Sequence, residues 1–163
     1  QQVAEEICEW VYDTGFRKLL FLSGNLPNVP PLQSAIVNVL RRTPDMQIRA
    51  MNWWDITPEL QAMFYGDESY GRCHGNIVET AIMRYFRDDL VKMDKSYAHP
   101  GKGVRLFFHY MHKDVSRDGH QGDPTGATPE LGERIYRMAV DGLSEQVKRA
   151  LVETKPDLYA DGA

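Results

Sequence analysis

Lys18-Leu19-Leu20-Phe21-Leu22-Ser23-Gly24-Asn25-Leu26-Pro27-Asn28 is a short apolar run that breaks at once into a polar loop. An uninterrupted run of this length suits a strand buried on both faces. Gly24 and Pro27 end it. Pro31 then suits the first position of a helix, and Ile36, Val37, Val39 and Leu40 supply a helical stripe over residues 32–42. A second strand follows over 46–54, with Trp53-Trp54-Asp55 at its end. A strand, a helix and another apolar strand in succession form the unit from which parallel α/β sheets are built.

Outward from that unit the alternation continues. Val3, Ile7, Trp10 and Val11 share a helical face over 3–14, and Gly15 is a natural stop. Thr57-Pro58-Glu59 opens a short helix to about residue 64, with Thr57 as cap and Pro58 as first helical residue. A glycine-rich bend over 66–75 leads to a helix at 77–91. Residues 104–108 read as a third strand, and a long polar loop follows over 109–127. Thr128-Pro129-Glu130 begins a last helix to about 152, with Ile135, Met138, Ala139, Leu143, Val147 and Leu151 inward. Residues 154–163 read as a frayed tail. The fold class expected is α/β, a three-layer α/β/α sandwich with a mostly parallel sheet. Sites in such sheets lie beyond the C-terminal strand ends, here 23–28, 53–55 and 109–114, with the loop carrying His74 on the same rim.

The chain of 163 residues holds one domain of common size, and its 42% hydrophobic and 26% charged content is that of a globular protein. A net charge of -4 without a basic run argues against nucleic acid. No apolar stretch approaches a membrane span. Two cysteines make no disulfide framework. A cytoplasmic location is the default expectation. The chain starts without an initiator Met, so the true N-terminus is open.

Cys73-His74-Gly75-Asn76-Ile77-Val78-Glu79-Thr80-Ala81 has two local readings. In one, Asn76 caps the 77–91 helix and Glu79 sits at capping-box spacing, serving the helix alone. In the other, His74 and Glu79 converge on one spot and do chemistry there. Cys73 beside His74 is either a thiolate or a structural thiol. His109 and His112 are three apart, a metal-chelating spacing on a helix. His120 precedes Gly122-Asp123-Pro124 and faces the pocket on one reading. His99 reads as a loop residue, and Asp123 as the holder of its own loop.

Four segments, in order, resemble the creatininase family of metal-dependent amidohydrolases. Ser23-Gly24-Asn25-Leu26-Pro27-Asn28 stands where that family has Asn-Gly-His-Gly-Gly-Asn after a strand. Trp53-Trp54-Asp55 ends the next strand. His74-Gly75-Asn76-Ile77-Val78-Glu79-Thr80-Ala81 is similar to His-Ala-Gly-x-x-Glu-Thr-Ser. Gly122-Asp123-Pro124-Thr125-Gly126-Ala127-Thr128-Pro129-Glu130-Leu131-Gly132 is similar to Gly-Asp-Pro-x-x-Ala-Thr-x-Glu-x-Gly.

The resemblance implies hydrolysis of a C–N bond in a small, perhaps cyclic, amide by a water that divalent zinc, manganese or iron activates. It implies His74 as the catalytic proton carrier, Glu79 as a metal ligand, and Trp54 as an aromatic wall for the substrate. Asn25, Asn28 and His120 become polar substrate contacts. Two departures bear on the metals. Asn25 replaces a ligand histidine, and an amide oxygen is a poorer ligand than imidazole. Pro27 replaces a ligand carboxylate. The family's first ligand-bearing segment also has no counterpart here. Three accounts follow: preceding residues supply it, a partner chain supplies it, or the chain has diverged into a non-hydrolytic subunit, binding protein or non-metal enzyme. In each, a homo-oligomer or a partner chain over the missing edge is expected.

Overall fold

The computed structural model describes residues 1–69, 74–99, 107–108 and 110–156. It falls into two compact units, residues 1–56 with 144–163, and residues 57–143.

The first unit is built on two parallel strands, β1 (Lys18–Ser23) and β2 (Gln47–Asn52). They run in register from Lys18 opposite Gln47 to Ser23 opposite Asn52. Between them comes α2 (Val29–Arg42), and α1 (Gln2–Asp13) precedes them. The core joins Cys8 of α1, Val39 of α2 and Met46, packed against Leu19, Phe21 and Ile48 from one sheet face. α2 starts three residues before the sequence reading placed it. Pro30 and Pro31 fall in its first turn, where a missing N–H costs nothing. Gly15 ends the α1 region with φ +97°, a conformation that favours glycine.

Two sequence expectations fail in this unit. β1 is not buried on both faces: its burial alternates, and Leu20 and Leu22 remain 37% and 44% exposed. Of the expected apolar stripe of α1, Val11 packs on the core and the other three residues do not. Val3, Ile7 and Trp10 are exposed, while Ala4 and Cys8 are buried. The polar residues explain the helix rotation. Asn38 of α2 donates to Glu5 at 2.9 Å, and Arg42 bridges Glu5 and Glu9 at 3.3 and 2.7 Å. Those carboxylates turn toward α2, and the small Ala4 and Cys8 beside them let the helices approach. The same unit takes the end of α6 (Pro129–Val152). Lys18 Nζ donates to the carbonyls of Ala150, Leu151 and Glu153 at 2.6–2.8 Å, satisfying the open end of that helix. Val147 and Leu151, expected inward, are exposed.

The second unit holds α3 (Pro58–Ser69), α4 (Ile77–Arg87), the single turn α5 (His112–Val115) and the start of α6. Both Thr-Pro-Glu starts cap as their composition dictates. Thr57 Oγ1 accepts from Leu60 N–H at 3.2 Å, and Thr128 Oγ1 from Leu131 N–H at 3.1 Å. α4 ends at Arg87, and a 3-10 turn over Asp88–Leu90 takes the remaining turn of the expected helix. α6 crosses α4 at Gly132, where an added Cβ would lie 2.8 Å from Tyr85 Cβ and closer still to the Ala81 carbonyl. Of the expected strand over 104–108, residues 104–106 lie outside the described residues, and Phe107 and Phe108 form an exposed bend. Cys73 and His109 lie outside the described residues too, as does 157–163 of the expected tail. Among the described residues no helix is long and apolar enough to cross a membrane.

Candidate active site

Asn76 organises the site in the second unit. Its Oδ1 accepts from the N–H of Glu79 at 2.9 Å, capping α4, and its Nδ2 donates to the Phe64 carbonyl at 3.3 Å. The capping box expected at this spacing is shifted by one residue. The Glu79 carboxylate accepts from the N–H of Gly75, not of Asn76, at 2.7 Å. Gly75 has φ +68°, and this turn aims its amide at Glu79 Oε2. Burial pushes the Glu79 carboxyl above its ordinary range, and the Gly75 amide and nearby His74 partly offset that rise.

The Gly-Asp-Pro loop is laid directly on this turn. Gln121 and Gly122 both donate their N–H groups to the His74 carbonyl, at 2.8 and 2.9 Å. Gly75 packs on His120 so closely that an added Cβ would lie 2.7 Å from His120 Cβ. Asp123 holds its own loop, as its type suggests, by accepting from the N–H of Thr125 at 3.0 Å. The third and fourth motifs, some 45 residues apart in the chain, thus form one rigid backbone junction.

His74, Glu79 and His120 are brought to this junction together. Two further histidines join them. The ring of His112 stands edge-on to His74 with centroids 5.2 Å apart, and that of His99 edge-on to His120 at 5.7 Å. Backbone carbonyls hold the rings of His112 and His120. His112 Nε2 lies 2.8 Å from the Gly119 carbonyl, and His120 Nε2 lies 3.1 Å from the Tyr97 carbonyl. A carbonyl only accepts, so each Nε2 carries a hydrogen. Tyr97 packs edge-on to His120 at 4.5 Å, and its hydroxyl is tied to Asp118. Sequence reasoning took His99 as a loop residue and paired His112 with His109. No local spacing marks the neighbours found here, because they meet through loop closure.

Asn25, Asn28 and Trp54 belong to the first unit. Asn25 and Asn28 are exposed at the end of β1. Ser23 Oγ donates to the Asn25 carbonyl at 2.9 Å and accepts from its N–H at 3.1 Å, leaving the Asn25 side chain outward. Trp54 is 1% exposed, its indole spent in packing, while Trp53 stands edge-on to it at 5.6 Å and is half-buried. Asn52, opposite Ser23, is 2% exposed; its Nδ2 donates to Asp55 at 3.0 Å, and its buried Oδ1 has no hydrogen-bond partner among the described residues.

Among the described residues no three of His, Cys, Asp and Glu come together to hold a metal ion. With Asn25 and Pro27 at two positions where ligands were expected, the described residues hold only part of a two-metal donor set. Glu79 keeps a carboxylate oxygen, Oε1, that takes no hydrogen bond among the described residues.

The family model for creatininase, creatinine amidohydrolase, matches residues 1–147. No curated protein sequence matches the chain. Several solved structures share its fold. A creatininase variant complexed with creatine is 21% identical, with 93% of this chain and 64% of that one covered at a TM-score of 0.78. A manganese creatininase is 21% identical, with 93% and 63% covered at 0.77. A creatinine amidohydrolase is 22% identical, with 93% and 63% covered at 0.70. The chain spans just under two thirds of the length of each. Its fold is the α/β fold of these structures, and the chain belongs to the creatininase family.

Proposed function

We propose that this chain carries the proton-transfer half of a creatininase-type amidohydrolase site, acting on a C–N bond of a small cyclic amide in the cytoplasm. The carrying observation is the junction of His74 and Glu79 with the Gly122 loop, which holds the best-kept motif of the family in one rigid turn. His74 moves the proton at the leaving nitrogen. Imidazole suits that task because its ordinary pKa lies near neutral pH. Glu79, at the family's third motif, is a metal-ligand position that this sequence retains. His120 shapes the wall behind Gly75, and on the first unit the exposed side chains of Asn25 and Asn28 are the polar groups open to a small molecule. The likeness to a creatininase complexed with creatine supports a small guanidino-type amide as substrate class.

The test is hydrolysis of creatinine by the purified chain, before and after chelation and on return of manganese or zinc, with native metal content measured beside it. Turnover that a chelator removes and manganese restores, lost in His74→Ala and accompanied by loss of metal uptake in Glu79→Ala, is the expected result. Native protein free of zinc, manganese and iron, with no turnover under any metal, sinks the reading.

A second reading is favoured by the incomplete donor set and by Asn25 and Pro27. In it the chain is a creatininase-fold binding protein or subunit without hydrolysis. Tight retention of a small molecule after chelation, with Glu79→Ala leaving it unchanged, selects this reading over the first.

A further inference from the structure

His74 is exposed, and an exposed side chain samples several rotamers unless something packs on it. A proton carrier works only when its ring is held to within about 0.5 Å of the productive position. The main chain of His74 is fixed already, because its carbonyl accepts from the N–H groups of Gln121 and Gly122 at 2.8 and 2.9 Å. The segment that supplies those amides also reaches the ring. His112, the first residue of α5, stands edge-on to His74 with centroids 5.2 Å apart and ring planes at 84°.

His112 is anchored through both its side chain and its backbone. Its Nε2–H donates to the Gly119 carbonyl at 2.8 Å, in a turn where Gly119 has φ +86°. Its own carbonyl accepts from Ser116 N–H at 2.8 Å and closes the α5 turn. Ser116 Oγ donates to the His120 carbonyl at 2.6 Å, which ties α5 to the residue before Gln121. The α5 turn has no buried residue, so a share in the core does not account for it. Its connections run instead to the loop that grips His74.

From these contacts we infer that His112 is a positioning residue: its ring holds the His74 imidazole in the rotamer from which the proton is passed. The inference rests on the reading of His74 as the proton carrier. His112 does this without touching substrate and without changing charge. With Nε2–H committed to a carbonyl, its tautomer and ring direction are set, and so is the surface it offers to His74. One segment, 112–122, then fixes both the main chain and the side chain of His74.

Two readouts on the full protein test this. With isotope-labelled histidine, the side-chain couplings of His74 in solution report either one χ1 rotamer or an average over several. Hydrolysis of creatinine is followed beside them. His112→Ala, folded by its melting curve, is expected to average the His74 couplings and to lower kcat roughly tenfold to hundredfold, with KM within about twofold. His112→Phe returns a ring to the same place and is expected to recover the single rotamer and most of kcat. His74 couplings unchanged in His112→Ala overturn the inference whatever the activity. A phenylalanine variant no better than the alanine one overturns it too, as does a loss that falls on KM instead of kcat. Wild-type protein without turnover is a failure of the hydrolase reading alone, and the couplings then decide whether His112 holds the ring.

Discussion

Gly122 sits on Asn76 with no room for a side chain: an added Cβ would lie 2.6 Å from Asn76 Cα and 2.8 Å from its backbone nitrogen. The cap of α4 and the Gly-Asp-Pro loop are therefore one packed object. The two amides that follow His120 reach the His74 carbonyl only because this approach is so close.

Gly122→Ala forces that junction apart. The added methyl meets backbone rather than a flexible side chain, so the cost is about 1–3 kcal/mol, as for overpacking in a filled interior. Chemical denaturation of the two proteins measures it. A loss well below 1 kcal/mol shows that the loop moves freely.

Asn76 serves two partners with its two ends. Asn76→Ala loses the cap on Glu79 N–H and the bond to the Phe64 carbonyl, about 1–2 kcal/mol together. Asn76→Asp keeps the cap acceptor but sets an acceptor oxygen against the buried Phe64 carbonyl, where a donor stood. Its melting temperature falls below that of the wild type; an unchanged melting temperature contradicts the Phe64 contact.

At Gly132 the two long helices of the second unit touch through backbone. Gly132→Ala places a methyl against the Ala81 carbonyl and Tyr85 Cβ, so helix propensity gained is outweighed by steric cost. Net destabilisation of about 1–3 kcal/mol is expected. An alanine variant more stable than wild type in urea contradicts this contact.

Burial raises the pKa of the Cys8 thiol, with Glu5 and Glu9 adding to the rise. The sign follows directly. The folded pKa lies above the unfolded one, so the stabilisation is fully present below the ordinary thiol pKa of about 8.5 and is lost as pH rises through the folded value. Urea unfolding of wild type and Cys8→Ala from pH 7 to 10 therefore gives a stability difference that narrows above about pH 8.5. Iodoacetamide, followed by peptide mass, modifies Cys8 only when the protein unfolds. Rapid modification of the native protein at pH 8 contradicts its burial.

What the chain by itself determined is local. The two Thr-Pro-Glu helix starts, the Asn76 cap and the stop at Gly15 each depend on residues within a turn of one another. Their hydrogen bonds and allowed dihedrals are set over that same distance. Tertiary structure alone decided which faces are used. The stripe of Val3, Ile7 and Trp10 has helical period, yet Glu5 and Glu9 bind Asn38 and Arg42 and turn it outward. The run from Leu19 to Leu22 is apolar throughout, yet Leu19 and Phe21 pack on the core while Leu20 and Leu22 stay exposed among the described residues. His112 meets His74 across 38 residues of chain because loop closure brings them together. Periodicity states which residues share a face, but the partner that covers the face is a long-range contact, and no local pattern records it.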